Sequence, residues 1–159
     1  MRPPFTPLKE WMMERPVSSV LFACTSNSIR SRLAEELARW RTRGRVYITS
    51  CGVNPGDRDG FVAEVLDEIG LELSDQETRG FRDLEDSDFD LIITLSPDAH
   101  KAALKFARNL ATIVEYWPTV DPSLVEGSRE QKLEAYRRTR DEIQQRITAR
   151  VSGPSAPVV

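Results

Sequence analysis

The sequence predicts a single α/β domain in which a parallel β-sheet is covered by helices on both faces. Short apolar segments, typical of buried strands, alternate with longer segments whose apolar residues recur at helical spacing. This alternation favours parallel strands joined by helical crossovers. The length of 159 residues fits one domain of this type.

Four segments are predicted to be the strands of this sheet. The runs VLFA and LIITL are continuously apolar, as expected of central strands covered on both faces. The segment RVYITS contains several β-branched residues, which favour strands. The predicted strands cover residues 20–23, 45–50, 91–95 and 111–116.

A helix is predicted after each strand. The first carries an apolar stripe that includes Trp40, and the second is ended by Gly70. Pro97 occupies the first position of the third, and Ser128 with Gln131 forms a capping box at the start of the fourth. The predicted helices cover residues 31–42, 60–69, a segment that begins at 97, and 128–150.

The ends of the chain are predicted to lie outside this domain. Residues 1–16 contain four of the ten prolines and predict a loosely held N-terminal arm. Residues 151–159, VSGPSAPVV, predict a flexible tail. The domain itself is expected to cover residues 17–150.

Composition excludes several classes of function. The net charge of −3 gives no reason to expect binding to nucleic acid or to a membrane surface, and neither a secretory signal nor a membrane-spanning segment is predicted. Two cysteines, Cys24 and Cys51, are too few for a disulfide framework and favour a reducing, cytoplasmic location. His100 is the single histidine, which argues against a histidine-rich metal site or a Ser-His-Asp triad. No metal or other cofactor is expected.

The segment CTSNSIRS, after the first predicted strand, combines a nucleophile with an anion-binding pattern. Cys24 leaves the strand, and Arg30 follows after five residues, where a helix begins. Backbone N–H groups in such a loop converge on an anion, and the helix dipole favours thiolate over thiol. Arg30 can donate two hydrogen bonds to a tetrahedral oxyanion. The candidate substrate-binding residues of this loop are Thr25, Ser26, Asn27, Ser28, Ile29 and Ser31.

Two of these loop residues have further predicted roles. The hydroxyl of Ser31 can stabilise the sulfur of Cys24 as it leaves as a thiolate, and Asn27 tolerates the left-handed backbone that closes a tight loop. The alternative is that Cys24 is a small buried apolar residue and that Arg30 forms a surface ion pair. The C-x5-R-S pattern between a strand and a helix favours the nucleophile.

Asp121 follows the fourth predicted strand, at the edge of the sheet where ligands bind in this class of fold. A carboxylic acid beside an anionic site retains its proton more readily than one in water, so Asp121 can protonate a leaving oxygen. The same carboxylate can then deprotonate an attacking water. The alternative is an Asp-Pro turn with no chemical role.

These residues resemble the low-molecular-weight protein tyrosine phosphatases and the related thioredoxin-coupled arsenate reductases. Residues 24–31 match the family signature, and the resemblance extends over residues 17–150, including RLAEELAR, SCGVNPG and WPTVDPSLVEGS. It implies a flavodoxin-like sheet in the order 2-1-3-4 and a cysteinyl-phosphate intermediate. It also implies that Asp121 is the general acid. The polar network that orders the loop in this family matches Asn27, Ser31, Ser50 and Glu35.

The chain departs from the family pattern at several positions. Ile29 stands where many phosphatases have a second cysteine, and Arg32 replaces the usual proline. This extra positive charge either recruits acidic substrates or is simply solvated, and we favour a solvated charge. The segment SPDAHKAALKFARN lacks the two further cysteines of the thioredoxin-coupled reductases. Aromatic residues of tyrosine-specific members are replaced by Asn54, Pro55, Ser123 and Leu124, so the sequence leaves a preference for phosphotyrosine open.

Three functions follow from these observations. The leading prediction is a phosphatase that hydrolyses a small phosphomonoester or a phosphorylated protein. The second is an arsenate reductase in which Cys51, a small thiol or glutaredoxin resolves the adduct on Cys24, although a cysteine placed like Cys51 more often only fills space. The third is a non-catalytic sensor of oxyanions or phosphoproteins, and the presence of both a nucleophile and an acid argues against it.

Overall fold

The computed structural model describes residues 16–107 and 111–151, and within them four parallel strands form one sheet. The predicted arm, 1–16, and the predicted tail, 151–159, lie almost entirely outside the described residues. The strands are β1 (Ser19–Cys24), β2 (Tyr47–Gly52), β3 (Leu91–Thr94) and β4 (Ile113–Tyr116). Their spatial order is β2-β1-β3-β4, and all three pairings are parallel. The predicted flavodoxin-like sheet is therefore confirmed.

Four helices connect or follow these strands, as predicted. They are α1 (Arg30–Thr42), α2 (Gly60–Asp67), α3 (Pro97–Phe106) and α4 (Arg129–Val151). The second helix is shorter than predicted, because the chain turns after Asp67 and reaches a φ of +79° at Gly70. Ile69 consequently lies outside the helix and is 38% exposed.

The helices cover both faces of the sheet, which confirms the predicted layers. On one face, buried side chains of α1, α2 and α4 form a core with alternate residues of the strands. On the other face, α3 packs through Ala99 and Ala103 against Leu21, Ala23 and Ile92. Because strand side chains alternate between the two faces, neighbouring residues of β1 enter different cores.

Two side chains of α1 differ from the sequence-based expectation. Trp40, predicted on the apolar stripe, is 55% exposed. The interpretation of Arg32 as a solvated charge is wrong, since it is 2% exposed. Its guanidinium donates hydrogen bonds to the carbonyl oxygens of Ser74 and Gln76, each at 3.1 Å. This contact joins segments far apart in the chain, so local sequence carries no sign of it.

No helix among the described residues combines the length and the apolar character needed to span a bilayer.

Candidate active site

The loop of residues 24–31 joins β1 to α1 in a tight turn at the carboxyl edge of the sheet. Asn27 adopts the left-handed conformation predicted for it, with a φ of 60°. Gly52, at the end of β2, lies directly against this turn. A Cβ at Gly52 would stand 2.6 Å from the backbone nitrogen of Asn27 and 2.7 Å from the carbonyl carbon of Ser26. A glycine is required here because the two backbones approach too closely for any side chain.

The segment after β2 fixes the loop from outside through the backbone. Its N–H groups satisfy three consecutive carbonyl oxygens of the loop. These bonds run from Val53 to Cys24 (3.1 Å), from Asn54 to Thr25 (2.9 Å) and from Gly56 to Ser26 (3.0 Å). The carbonyl oxygens of residues 24–26 therefore accept hydrogen bonds from donors outside the loop. They do not need the loop's own N–H groups, which leaves those groups for an anion.

The four residues expected to order the loop form one hydrogen-bonded chain that ends at Cys24. The Sγ atom of Cys24 lies 3.0 Å from the Oγ atom of Ser31. The side-chain amide of Asn27 donates to Ser31 Oγ at 2.8 Å and to Ser50 Oγ at 2.9 Å. The Ser50 hydroxyl donates in turn to the carboxylate of Glu35. All of these residues are buried, so the hydrogen bonds among them are protected from competition by water.

Arg30 lies at the first position of α1 and is 8% exposed. One terminal nitrogen of its guanidinium donates to the carbonyl oxygen of Thr119 at 2.9 Å. The other lies 3.4 Å from the hydroxyl of Thr25. Since a guanidinium has five N–H donors, these two contacts orient the group and leave donors for an oxyanion. They also connect it to the loop that carries Asp121.

Thr25 is held by Asp98, a residue that the sequence analysis did not select. The Thr25 hydroxyl donates to Asp98 Oδ1 at 2.9 Å, and the hydroxyl of Ser96 donates to the same oxygen at 2.6 Å. Burial alone would raise the pKa of Asp98, but the hydrogen bonds from Ser96 and Thr25 lower it. The ionised carboxylate thus fixes the Thr25 side chain. The Ser-Pro-Asp start of α3 was the available signal.

Asp121 begins a short 3-10 turn, Pro122–Leu124, after β4. Its Oδ1 atom accepts hydrogen bonds from the backbone N–H of Ser123 at 2.9 Å and from the Ser123 hydroxyl at 2.7 Å. Its Oδ2 atom accepts no hydrogen bond from the described residues. The side chain therefore forms the turn that the alternative interpretation predicted, and this contact uses only one of its two carboxyl oxygens.

Residues 19–152 match the model of the family described as low molecular weight phosphotyrosine protein phosphatase. The chain belongs to this family. An arsenate reductase of Bacillus licheniformis is 31% identical to it over 133 residues, which cover 81% of this chain and 91% of that protein. A glutaredoxin arsenate reductase of Synechocystis sp. is 27% identical over 131 residues, covering 82% and 94% of the two chains.

Solved structures of this phosphatase family agree with the fold. An arsenate reductase from Archaeoglobus fulgidus aligns with a TM-score of 0.64 and 27% identity, covering 80% of this chain and 94% of that chain. A low molecular weight protein tyrosine phosphatase from T. tengcongensis aligns with a TM-score of 0.68 at 22% identity, covering 82% and 95%. The family predicted from the C-x5-R-S pattern is confirmed.

In this member of the phosphatase family, the two cysteines lie on opposite faces of the sheet. Cys51 is in register with Ala23 of β1, and both belong to the core under α3. Cys24 belongs to the core on the other face. Cys51 has no exposed surface, and its burial raises the pKa of its thiol.

The remaining loop residues of this family member have distinct environments. Ile29 is 8% exposed, and its side chain packs in the core. The hydroxyl of Ser28 donates to the carbonyl oxygen of Asp57, and Ser26 packs close to Gly56. Among the described residues, no group of three histidine, cysteine or acidic side chains is arranged to hold a metal ion.

Proposed function

We propose that this chain is an arsenate reductase in which Cys24 attacks arsenate and an external thiol completes the reduction. The observation that carries the proposal is the enclosed loop of residues 24–31, with the Cys24 sulfur and the Arg30 guanidinium at its two ends. Arsenate is a tetrahedral oxyanion, the shape for which such a loop is suited. Relatives that carry the name arsenate reductase match four fifths of the chain, and they favour this activity over the phosphatase that the sequence alone placed first.

The reaction balances with two molecules of thiol. The Cys24 thiolate displaces one oxygen of arsenate, which leaves as water after protonation, and an arsenic–sulfur bond forms. An external thiolate then attacks the Cys24 sulfur, and the electron pair of the arsenic–sulfur bond moves to arsenic, which is reduced from As(V) to As(III). A second external thiol breaks the resulting mixed disulfide. Arsenite, an external disulfide and free Cys24 are the products.

The sheet supports an external thiol rather than Cys51 as the resolving group. The sequence holds two cysteines, Cys24 and Cys51, and their side chains enter different cores. A disulfide requires the two Cβ atoms to approach within about 4.5 Å, with both side chains directed at each other. A small thiol or glutaredoxin can approach Cys24 from outside and meet this distance requirement. A reducing compartment such as the cytoplasm supplies both.

Hydrolysis of phosphomonoesters is the second candidate, and a specific observation favours it. Asp121 follows Thr119, whose carbonyl oxygen binds Arg30, and it keeps one carboxyl oxygen free of the turn. In this reaction Cys24 attacks phosphorus, Arg30 and the loop N–H groups hold the non-bridging oxygens, and Asp121 protonates the leaving oxygen. The cysteinyl phosphate is then hydrolysed. A phosphorylated protein or a small phosphomonoester is the substrate in this case.

A side-by-side assay on the purified chain distinguishes these activities. With glutaredoxin present, we expect the chain to oxidise glutathione in an arsenate-dependent reaction. Cys24→Ser should abolish this activity, and Cys51→Ala should retain it. Hydrolysis of an aryl phosphate at a higher turnover rate than arsenate reduction would favour the phosphatase. Phosphate binding without turnover of either substrate would contradict both activities and indicate a sensor.

Asp121→Asn tests the role of the acid separately. The variant should slow hydrolysis of an alkyl phosphate, which has a poor leaving group, by about 100-fold or more, and slow that of an activated aryl phosphate much less. Arsenate reduction should change least, because no alkoxide leaves in that reaction. Equal losses on good and poor leaving groups would show that Asp121 acts only on the conformation of its turn.

A further inference from the structure

The buried hydrogen-bond network that ends at Cys24 has a direction, which is set by its donor groups. The Oδ1 atom of Asn27 accepts the backbone N–H of Arg79 at 2.9 Å, which identifies the opposite atom as the amide nitrogen. Both amide hydrogens are then used, one for Ser50 and one for Ser31. Because Ser31 Oγ accepts from Asn27, its own hydrogen remains for the sulfur of Cys24. From the amide of Asn27 through Ser31, the hydrogen bonds therefore run toward the sulfur.

The carboxylate of Glu35 forms the far end of this hydrogen-bond network. An ionised Glu35 can only accept, so the Ser50 hydroxyl must donate to it. Glu35 is 1% exposed, and burial of a carboxylate is costly unless a cation accompanies it.

Arg39 supplies that cation by a direct contact. Its guanidinium forms an ion pair with Glu35 one helical turn away on α1, and it also binds Glu36 Oε1 at 2.9 Å and the carbonyl oxygen of Ile48 at 3.2 Å. Burial alone would lower the pKa of Arg39, but the hydrogen bond and the charge of Glu35 raise it. Arg32 makes a weaker contact, since its Nε atom is 3.9 Å from Glu35 and has no hydrogen-bond partner among the described residues.

We propose that Arg39 is a positioning residue for the reaction at Cys24. It holds the Glu35 carboxylate against the Ser50 hydroxyl. The oxygen of Ser50 in turn accepts one amide hydrogen of Asn27, whose other amide hydrogen is donated to Ser31 beside the sulfur. It acts through Glu35 and touches neither the sulfur nor the oxyanion loop. Other charged groups that contact this network or its neighbours are Arg30 beside the loop, Arg32 and Glu36 on α1, Arg79 after α2, and Asp98 at the carboxyl edge. The inference rests on the proposed role of Cys24 as a nucleophile, whichever oxyanion it attacks.

The test measures the nucleophile directly, so it does not depend on the identity of the substrate. The rate of Cys24 alkylation by iodoacetamide is followed against pH in Arg39→Gln, in Arg39→Lys and in the wild-type chain, with Cys51→Ala as the common background. In Arg39→Gln the profile should move to higher pH, with alkylation about tenfold slower at a mildly acidic pH. Arg39→Lys, which keeps the charge, should restore most of the rate.

A matched control removes a similar charge from the same region. Arg45 lines a surface cavity of 550 Å³ together with Arg39 and is exposed, but no hydrogen bond joins it to Glu35 among the described residues. Arg45→Gln should leave the alkylation profile unchanged. An Arg39→Gln profile identical to that of wild type or of Arg45→Gln would overturn the proposal.

Two further measurements separate positioning from folding and from activity. Glu35→Gln keeps the shape of the side chain and removes its charge, so it should shift the profile in the same direction, and the double variant should shift it no further. Independent, additive shifts would overturn the proposal.

In turnover assays Arg39→Gln should lower kcat with little change in KM. If the wild-type chain turns over neither substrate but Arg39→Gln still shifts the alkylation profile, the proposed function is overturned and the role of Arg39 is supported. If the wild-type chain turns over a substrate but Arg39→Gln has the wild-type profile, only the role of Arg39 is overturned.

Discussion

At the scale of single residues, the shape of the anion-binding loop depends on the missing side chain of Gly52. The loop's left-handed residue, Asn27, and its neighbour Ser26 lie within 3 Å of the place that a Cβ on Gly52 would occupy. Such an approach is possible only between backbones. The same glycine is paired with Cys24 in the register of β1 and β2, so any displacement of it also reaches the nucleophile.

Gly52→Ala should therefore distort the loop. We expect a loss of about 2 kcal/mol in the free energy of unfolding, from overpacking against a backbone that cannot yield, and much weaker binding of phosphate by calorimetry. Gly60→Ala is the control, since a Cβ at Gly60 has no neighbour within 4 Å. Equal effects of the two substitutions would show that the close approach at Gly52 is not what shapes the loop.

At the scale of elements, α1 carries more than an apolar face. Its first turn holds the buried Arg32, which binds the carbonyl oxygens of Ser74 and Gln76, while Glu36 accepts the backbone N–H of Ser74 at 3.0 Å. The segment after α2 is thus attached to α1 through polar contacts. That segment leads to Arg79, whose N–H binds Asn27 in the loop.

Arg32→Ala should destabilise the chain by about 2–4 kcal/mol, because it leaves two carbonyl oxygens without their donors and empties a buried space. Urea unfolding of the variant measures this loss. Arg138→Ala, at an exposed position of α4, should cost less than about 0.5 kcal/mol. A similarly small loss for Arg32→Ala would mean that water replaces the guanidinium without cost.

At the scale of the whole molecule, the sheet separates the two sulfurs. Residues of β1 and β2 in register share a face, and Cys51 pairs with Ala23 rather than with Cys24. Cys24 lies at the end of β1, where the loop begins, whereas Cys51 fills the core under α3. This arrangement supports the proposal that chemistry at Cys24 recruits a second sulfur from outside the chain.

Oxidation of the chain by hydrogen peroxide, with and without glutathione, tests this separation. Peptide mapping by mass spectrometry should find Cys24 glutathionylated when glutathione is present, and no peptide that joins Cys24 to Cys51 in either sample. Cys51→Ala should give the same Cys24 products. A Cys24–Cys51 disulfide formed in the folded chain would contradict the arrangement of the two faces.

The fold and most of the site were predictable because their signals are local. The periodicity of apolar residues indicated four strands and four helices, and the spacing of Cys24, Arg30 and Ser31 between a strand and a helix indicated the loop. Both depend on residues close together in the chain. The exposed Trp40 shows the limit of that method, because spacing places a side chain on a stripe but does not determine whether another element covers it.

The sequence by itself determined the family and the order of elements, and it located the loop that carries Cys24 and Arg30, since each follows from short-range pattern. Only the tertiary structure decided that Arg32 is buried, that Cys51 faces away from Cys24, and that Asp98 and Arg39 support the site. These facts depend on contacts between residues distant in sequence, such as the 73 positions from Thr25 to Asp98. Such contacts arise when strands come into register and helices pack, and no local propensity encodes them.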